Sequence, residues 1–180
     1  MKTLKNTLLL VIMFVAVQVS AQTDKETTTK LVEAQTLVFN ATTALPMANM
    51  DINKVMQRFP GAQGGAIQLN GSQYQLKIAK DSVEAYLPYY GRAYSVNIGS
   101  NDSGIKFKSK DFTYKTEKKK KGGWIITIRP KDTKDVQSLT LSVGEKGYAV
   151  LNVNSNYRQA IAFNGFISEP VTSSNSAPAK

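Results

Sequence analysis

The sequence predicts an all-β protein, an antiparallel meander of about nine strands curled into a barrel-like fold, with a two-sheet β-sandwich as the close second. Two observations carry this. Apolar residues take every second position in segment after segment, which buries one face of a sheet and wets the other. The segments are joined by short connections rich in glycine, asparagine and aspartate, so neighbours in sequence pair in space.

Met1 to Ala21 has the form of a signal peptide. Lys2 and Lys5 precede the apolar run Leu8–Val17, and Val19-Ser20-Ala21 forms a small-residue cleavage site. The run is shorter than the ~20 residues a permanent spanning helix needs. Cleavage leaves 180 − 21 = 159 residues, enough for one domain, and takes the net charge from +10 to +8 by removing two lysines. The expected location is outside the cytoplasm, periplasmic or extracellular, with no transmembrane span after cleavage.

Residues 22–29 are expected to be a flexible N-terminus, residues 30–169 a single β domain and residues 170–180 a disordered tail. A short helix over Lys30–Gln35 fits Leu31 and Ala34. Thr36–Ala41 reads as a strand with Leu37, Phe39 and Ala41 on one face, broken by Pro46. Residues 47–59 stay open between strand and helical turn. The inward set then runs Ile67 and Leu69; Tyr74, Leu76 and Ile78; Val83, Ala85 and Leu87; Tyr94, Val96 and Ile98. It continues with Ile105 and Phe107, Phe112 and Tyr114, then Trp124, Ile126 and Ile128. Leu139, Leu141 and Val143, then Ala149, Leu151 and Val153, and finally Ile161, Phe163 and Ile167 close the pattern.

The most distinctive stretch is Leu87-Pro88-Tyr89-Tyr90-Gly91-Arg92-Ala93-Tyr94. Pro88 cannot donate a ladder hydrogen bond and ends the strand before it. Gly91 supplies freedom for a turn or bulge. The tyrosines bring flat surface with a polar tip, and Arg92 can stack on a ring or fork onto an anion. Tyr89, Tyr90, Arg92 and Tyr94, with Trp124, are the candidate ligand- or partner-binding residues. Corner packing is the plainer use of the same residues and the favoured one.

The octet with the preceding Val83-Glu84-Ala85-Tyr86, together with Gly104-Ile105-Lys106-Phe107, Lys121-Gly122-Gly123-Trp124 and the segment Ile161–Ile167, resembles an uncharacterised family of small secreted domains from Gram-negative, gut-type bacteria. The resemblance spans about Ala34 to Ile167. It implies an exported β-rich domain with no assigned activity, and it supplies no catalytic residues.

The composition weighs against an enzyme. The chain has no histidine and no cysteine, which removes the commonest general base, the commonest metal ligands and any disulfide. No cofactor or metal is expected. The acids are scattered; Glu84 and Asp111 are a conceivable hydrolase pair, but solvated surface charge is the simpler account. A basic hairpin, Lys115, Lys118, Lys119, Lys120 and Lys121, could grip an anionic surface. Lysines at a hairpin tip also discourage edge-to-edge sheet pairing, and that use is favoured. Nucleic acid is a poor partner for an exported chain without a recognition motif. Two functions remain: a non-catalytic binding domain for an unknown small ligand, or a structural or interaction component of a cell-envelope assembly. A hydrolase is a distant third.

Overall fold

The computed structural model describes residues 24–46, 62–63, 65–69, 73–94 and 104–170. The expected signal segment, the undecided stretch 47–59, the expected strand residues after Tyr94 and the expected tail beyond Pro170 lie outside the described residues. The described chain holds one helix, α1 (Lys25–Ala34), and eleven strands. In order these are β1 (Leu37–Pro46), β2 (Ala62–Gln63), β3 (Ala66–Gln68), β4 (Gln75–Ile78), β5 (Val83–Leu87), β6 (Ile105–Ser109), β7 (Phe112–Lys118), β8 (Trp124–Pro130), β9 (Val136–Val143), β10 (Tyr148–Ser155) and β11 (Ile161–Ser168). Nine of them run β6-β5-β4-β1-β11-β10-β9-β8-β7, every pair antiparallel, in a nearly closed, barrel-shaped sheet. The small β2–β3 hairpin lies off that path and extends the sheet beside the second half of β1.

The sheet curls because its two edges belong to one stretch of chain. β6 and β7 are separated only by Lys110 and Asp111, yet β6 pairs with β5 and β7 with β8 at the opposite edge. The inward set shifts there from Ile105 and Ser109 to the even-numbered Phe112 and Tyr114. One extra residue is therefore accommodated at the corner, as in a β-bulge. A row of paired residues runs Lys106, Tyr86, Gln75, Asn40, Phe166, Tyr148 around the wall. The turn bonds Gly144 N to Tyr148 O and Lys119 N to Gly123 O, beside the Trp124–Val143 rung, carry the row on to Lys119. It returns at Lys119, just past the end of β7 and 119 − 106 = 13 residues along the same run of chain from Lys106, the kind of stagger a closed barrel requires. Asp132 pins the corner: its Oδ2 accepts from Lys110 N at 3.0 Å and from Asp111 N at 3.4 Å. Hydrogen bonds from Ser109 and then from these amides hold its carboxyl below the usual range.

The alternating residues meet in one continuous core. Leu37, Phe39, Leu76, Val83, Ile126, Ile128, Leu139, Leu141, Leu151, Phe163 and Ile167 are all fully buried. Each large side chain contributes roughly 1.5–3 kcal/mol of burial, so the core supports folding without a disulfide.

Two elements depart from the sequence expectation. The helix begins at Lys25, five residues before Lys30, so part of the expected flexible N-terminus is ordered. Asp24 starts it by accepting from Thr27 N at 2.6 Å, and the Glu26–Lys30 pair at 2.7 Å supports the first turns. The weak helix propensity of Thr27-Thr28-Thr29 hides this start in the sequence. Strand β1 also runs on to Pro46, past the expected end at Ala41. A register shift between Ala41 and Thr43 moves the inward position to Ala44, so the plain alternation stops being visible.

Both barrel ends are covered. At the end where β1 begins, α1 places Leu31 and Val32 in the common core. Lys25 ties the helix to Glu145 of the β9–β10 turn at 2.9 Å. The other end belongs to the tyrosine-rich octet.

Candidate functional site

Strand β5 stops at Leu87 because Pro88 follows, and the buried proline directs the chain across the end of the barrel. There it meets the loop between β10 and β11. Ala93 bridges to Arg158, Gln159 N donates to Arg92 O at 2.9 Å, and Tyr94 N donates to Tyr157 O at 2.7 Å. Tyr89 folds back beneath this arm, its hydroxyl 2.9 Å from both the Arg92 and the Gln159 carbonyl oxygens. One hydroxyl proton serves one of the two at a time. Arg158 lies over the Tyr89 ring at 5.2 Å. It also donates through Nη1 to Gly104 O at 3.0 Å and pairs through Nε with Asp135 at 3.3 Å.

Gly91 is needed here for closeness rather than for a turn. A Cβ at that position would sit 2.5 Å from the Tyr89 hydroxyl, so the glycine lets the ring lie against the backbone. Burial pushes the Tyr89 phenol up to about 12, against the opposing pull of Arg158. Burial also raises Tyr90, which packs against the core, and neighbouring Tyr74 adds to that.

The octet thus divides. Pro88, Tyr89 and Tyr90 face inward and close the barrel, while Gly91 to Tyr94 stay exposed. Tyr94 is 69% exposed and Tyr157, held beside it by the backbone bond, is 47% exposed.

The structure does not bring Trp124 to this group. It pairs with Val143 beside the β9–β10 turn, at the opposite end of the barrel, and is 7% exposed. The basic side chains Lys115, Lys118, Lys120 and Lys121 are exposed on β7 and its hairpin, with Lys119 half-buried. Lys115 pairs with Glu117 at 2.7 Å, and the tip leans on the β9–β10 turn, where Gly122 lies against Glu145. This hairpin too is remote from the octet. Glu84 and Asp111 each face a lysine, Lys108 at 3.7 Å and Lys131 at 3.2 Å. No cluster of three metal-ligating side chains occurs among the described residues, and no described helix is long and apolar enough to cross a membrane.

Tyr157, Arg158, Gln159 and Asp135 are the partners that sequence reasoning missed. They lie far along the chain from the octet. The one local signal is the polar turn Asn156-Tyr157-Arg158 between two alternating strands, which marks a loop but not what it meets.

A barrel closed at one end by a helix and at the other by a tyrosine-rich crossing places the chain among small all-β domains. The chain belongs to the family described as "Domain of unknown function (DUF4251)", whose model matches residues 20–167. It is similar in fold to the crystal structure of a DUF4251 family protein from Bacteroides eggerthii DSM 20697. The TM-score is 0.52 at 11% identity, over 81% of this chain and 87% of that one. No curated protein matches the chain.

Proposed function

We propose that the chain is an exported, non-catalytic binding domain that docks a partner protein of the cell envelope through Tyr94 and Tyr157. The observation that carries this is the pair of exposed tyrosines fixed side by side by the Tyr94 N to Tyr157 O bond, above an arm anchored by Tyr89 and Arg158. Tyrosine is enriched among residues that dominate binding energy, and a ring on a pre-ordered backbone loses little entropy on docking. Export rests on the basic, apolar and small-residue pattern of Met1 to Ala21. The non-catalytic reading rests on a sequence without histidine or cysteine.

The test is photocrosslinking in cells. A photoreactive amino acid is placed at Tyr94, at Tyr157 and, as a control, at exposed Gln137 on β9, and the periplasmic fraction is recovered. The expected result is one discrete adduct shared by positions 94 and 157 and absent at 137. Adducts that are absent from all three positions, or identical at all three, would refute the docking surface.

A further inference from the structure

Strand β7 is an open edge of the sheet. It ends the strand path and pairs with β8 alone, and no other described strand runs along its far side. The bonds that flank this pair fix which groups face outward. Lys131 N donates to Asp111 O at 2.8 Å and Lys119 N to Gly123 O at 2.9 Å, so the odd-numbered residues bond toward β8. In an alternating antiparallel ladder Tyr114, Thr116 and Lys118 then turn their N–H and C=O groups to the free side. Lys115, Thr116, Glu117 and Lys118 are all exposed, so neither face of the strand is covered there. The edge at β6 is less open. Arg158 Nη1 donates to Gly104 O at 3.0 Å just before it, and Asp132 Oδ2 accepts from Lys110 N at 3.0 Å just after it.

The charge beside the β7 edge is of one sign. The strand runs into Lys118, Lys119, Lys120 and Lys121, none of which has an ion-pair partner among the described residues. Lys115 is answered by Glu117 at 2.7 Å and adds nothing to this surplus.

We propose that β7 takes an extended acidic segment of a partner protein as an added strand. An open edge offers backbone hydrogen bonds to any extended chain, and the side chains beside it choose the guest. Two copies of β7 laid edge to edge would bring like-charged lysine rows together, which is how edge lysines prevent self-pairing. A guest with glutamates beside the hairpin tip gains where a second copy loses. A lipid surface is the weaker fit. The tip from Lys119 to Gly122 has no apolar side chain to enter a bilayer, and the backbone edge would stay unused.

Fluorescence anisotropy with the chain from residue 22 onward tests this. The probe is the labelled peptide Glu-Glu-Thr-Val-Thr-Val-Thr-Glu. One control replaces each glutamate by lysine, and a second, Glu-Glu-Pro-Pro-Val-Pro-Pro-Glu, keeps the charge and loses the central backbone donors. Both controls are expected to bind at least about tenfold more weakly, and the acidic peptide's affinity should fall as salt rises. Thr116→Pro removes an outward N–H on an edge, where proline is tolerated, so it should abolish binding with the melting temperature retained. Reversing Lys118 and Lys120 to glutamate should weaken binding about tenfold, again in a stable chain. Tyr94→Ala should leave the affinity intact, which separates this edge from the tyrosine surface. The proposal is overturned if the acidic peptide fails to bind, whether the chain then holds phosphatidylglycerol vesicles or dimerises through the same edge. It is also overturned if either control peptide binds as tightly, or if a folded Thr116→Pro chain binds unchanged.

Discussion

Replacing Gly165 with alanine is expected to lower the melting temperature by about 10 °C, at roughly 3 kcal/mol for an over-packed core position and 2–4 °C per kcal/mol in a chain of this size. Gly165 lies in β11 opposite Ala41, beside the register shift of β1. A Cβ there would overlap the carbonyl oxygen of Asn40 and crowd the Phe39 ring at 2.9 Å. A backbone oxygen held in a ladder cannot swing aside as a flexible side chain would, so strand β1 itself would have to move. Gly144→Ala is the control: its Cβ would meet its nearest neighbour, Tyr148 O, at 3.4 Å. A change of about 2 °C or less is expected there. Equal effects from the two substitutions would mean that the close approach of β1 and β11 does not limit stability.

Tyr89→Ala should also cost roughly 3 kcal/mol, because it removes a half-buried ring together with the hydroxyl that ties the Arg92 and Gln159 carbonyls. Tyr89→Phe keeps the ring and loses the bond, for about 1 kcal/mol. The pH dependence distinguishes the two contributions. The phenol titrates near 10 in the unfolded chain and is pushed up to about 12 in the folded one, chiefly by burial. The folded value is the higher, so this contribution is complete below pH 10 and is lost as pH rises from 10 through 12. Tyr90 and Tyr114, both raised by burial, act in the same direction. Urea melts at pH 9 and pH 11 should therefore show the parent chain losing more stability than Tyr89→Phe. An identical alkaline loss in both chains would contradict the buried position of this hydroxyl.

The strands were legible because burial on one face leaves a mark at every second residue. From β4 to β11 most of the inward residues expected from alternation, Leu76 and Ile78 through Phe163 and Ile167, are found buried. Phe107, Phe112 and Tyr114 are partly buried against the core, and Tyr94, expected inward, is exposed because the chain has left the sheet after Pro88. What alternation did not show is the bulge in β1, where the inward position moves to Ala44. The change of parity between Phe107 and Phe112 was visible, but not that this corner carries the chain from one edge of the sheet to the other and curls it on itself. The candidate site was half legible. Proline, glycine and the tyrosines announced a special conformation at residues 88–94. The division into a sealing half and an exposed half depends on Arg158 and Gln159, which only the fold brings near. Trp124 illustrates the reverse case, since an aromatic beside a hairpin looks available in sequence but is covered once the barrel forms.

The central claim is that the octet has two jobs on two faces, and the thermal melt of the Tyr94→Ala/Tyr157→Ala chain tests it most directly. If those rings serve a partner, the double variant should melt within about 3 °C of its parent, as exposed substitutions do. A fall of about 10 °C, matching Tyr89→Ala, would show that the outer tyrosines are part of the seal and would contradict the division on which the proposed function stands.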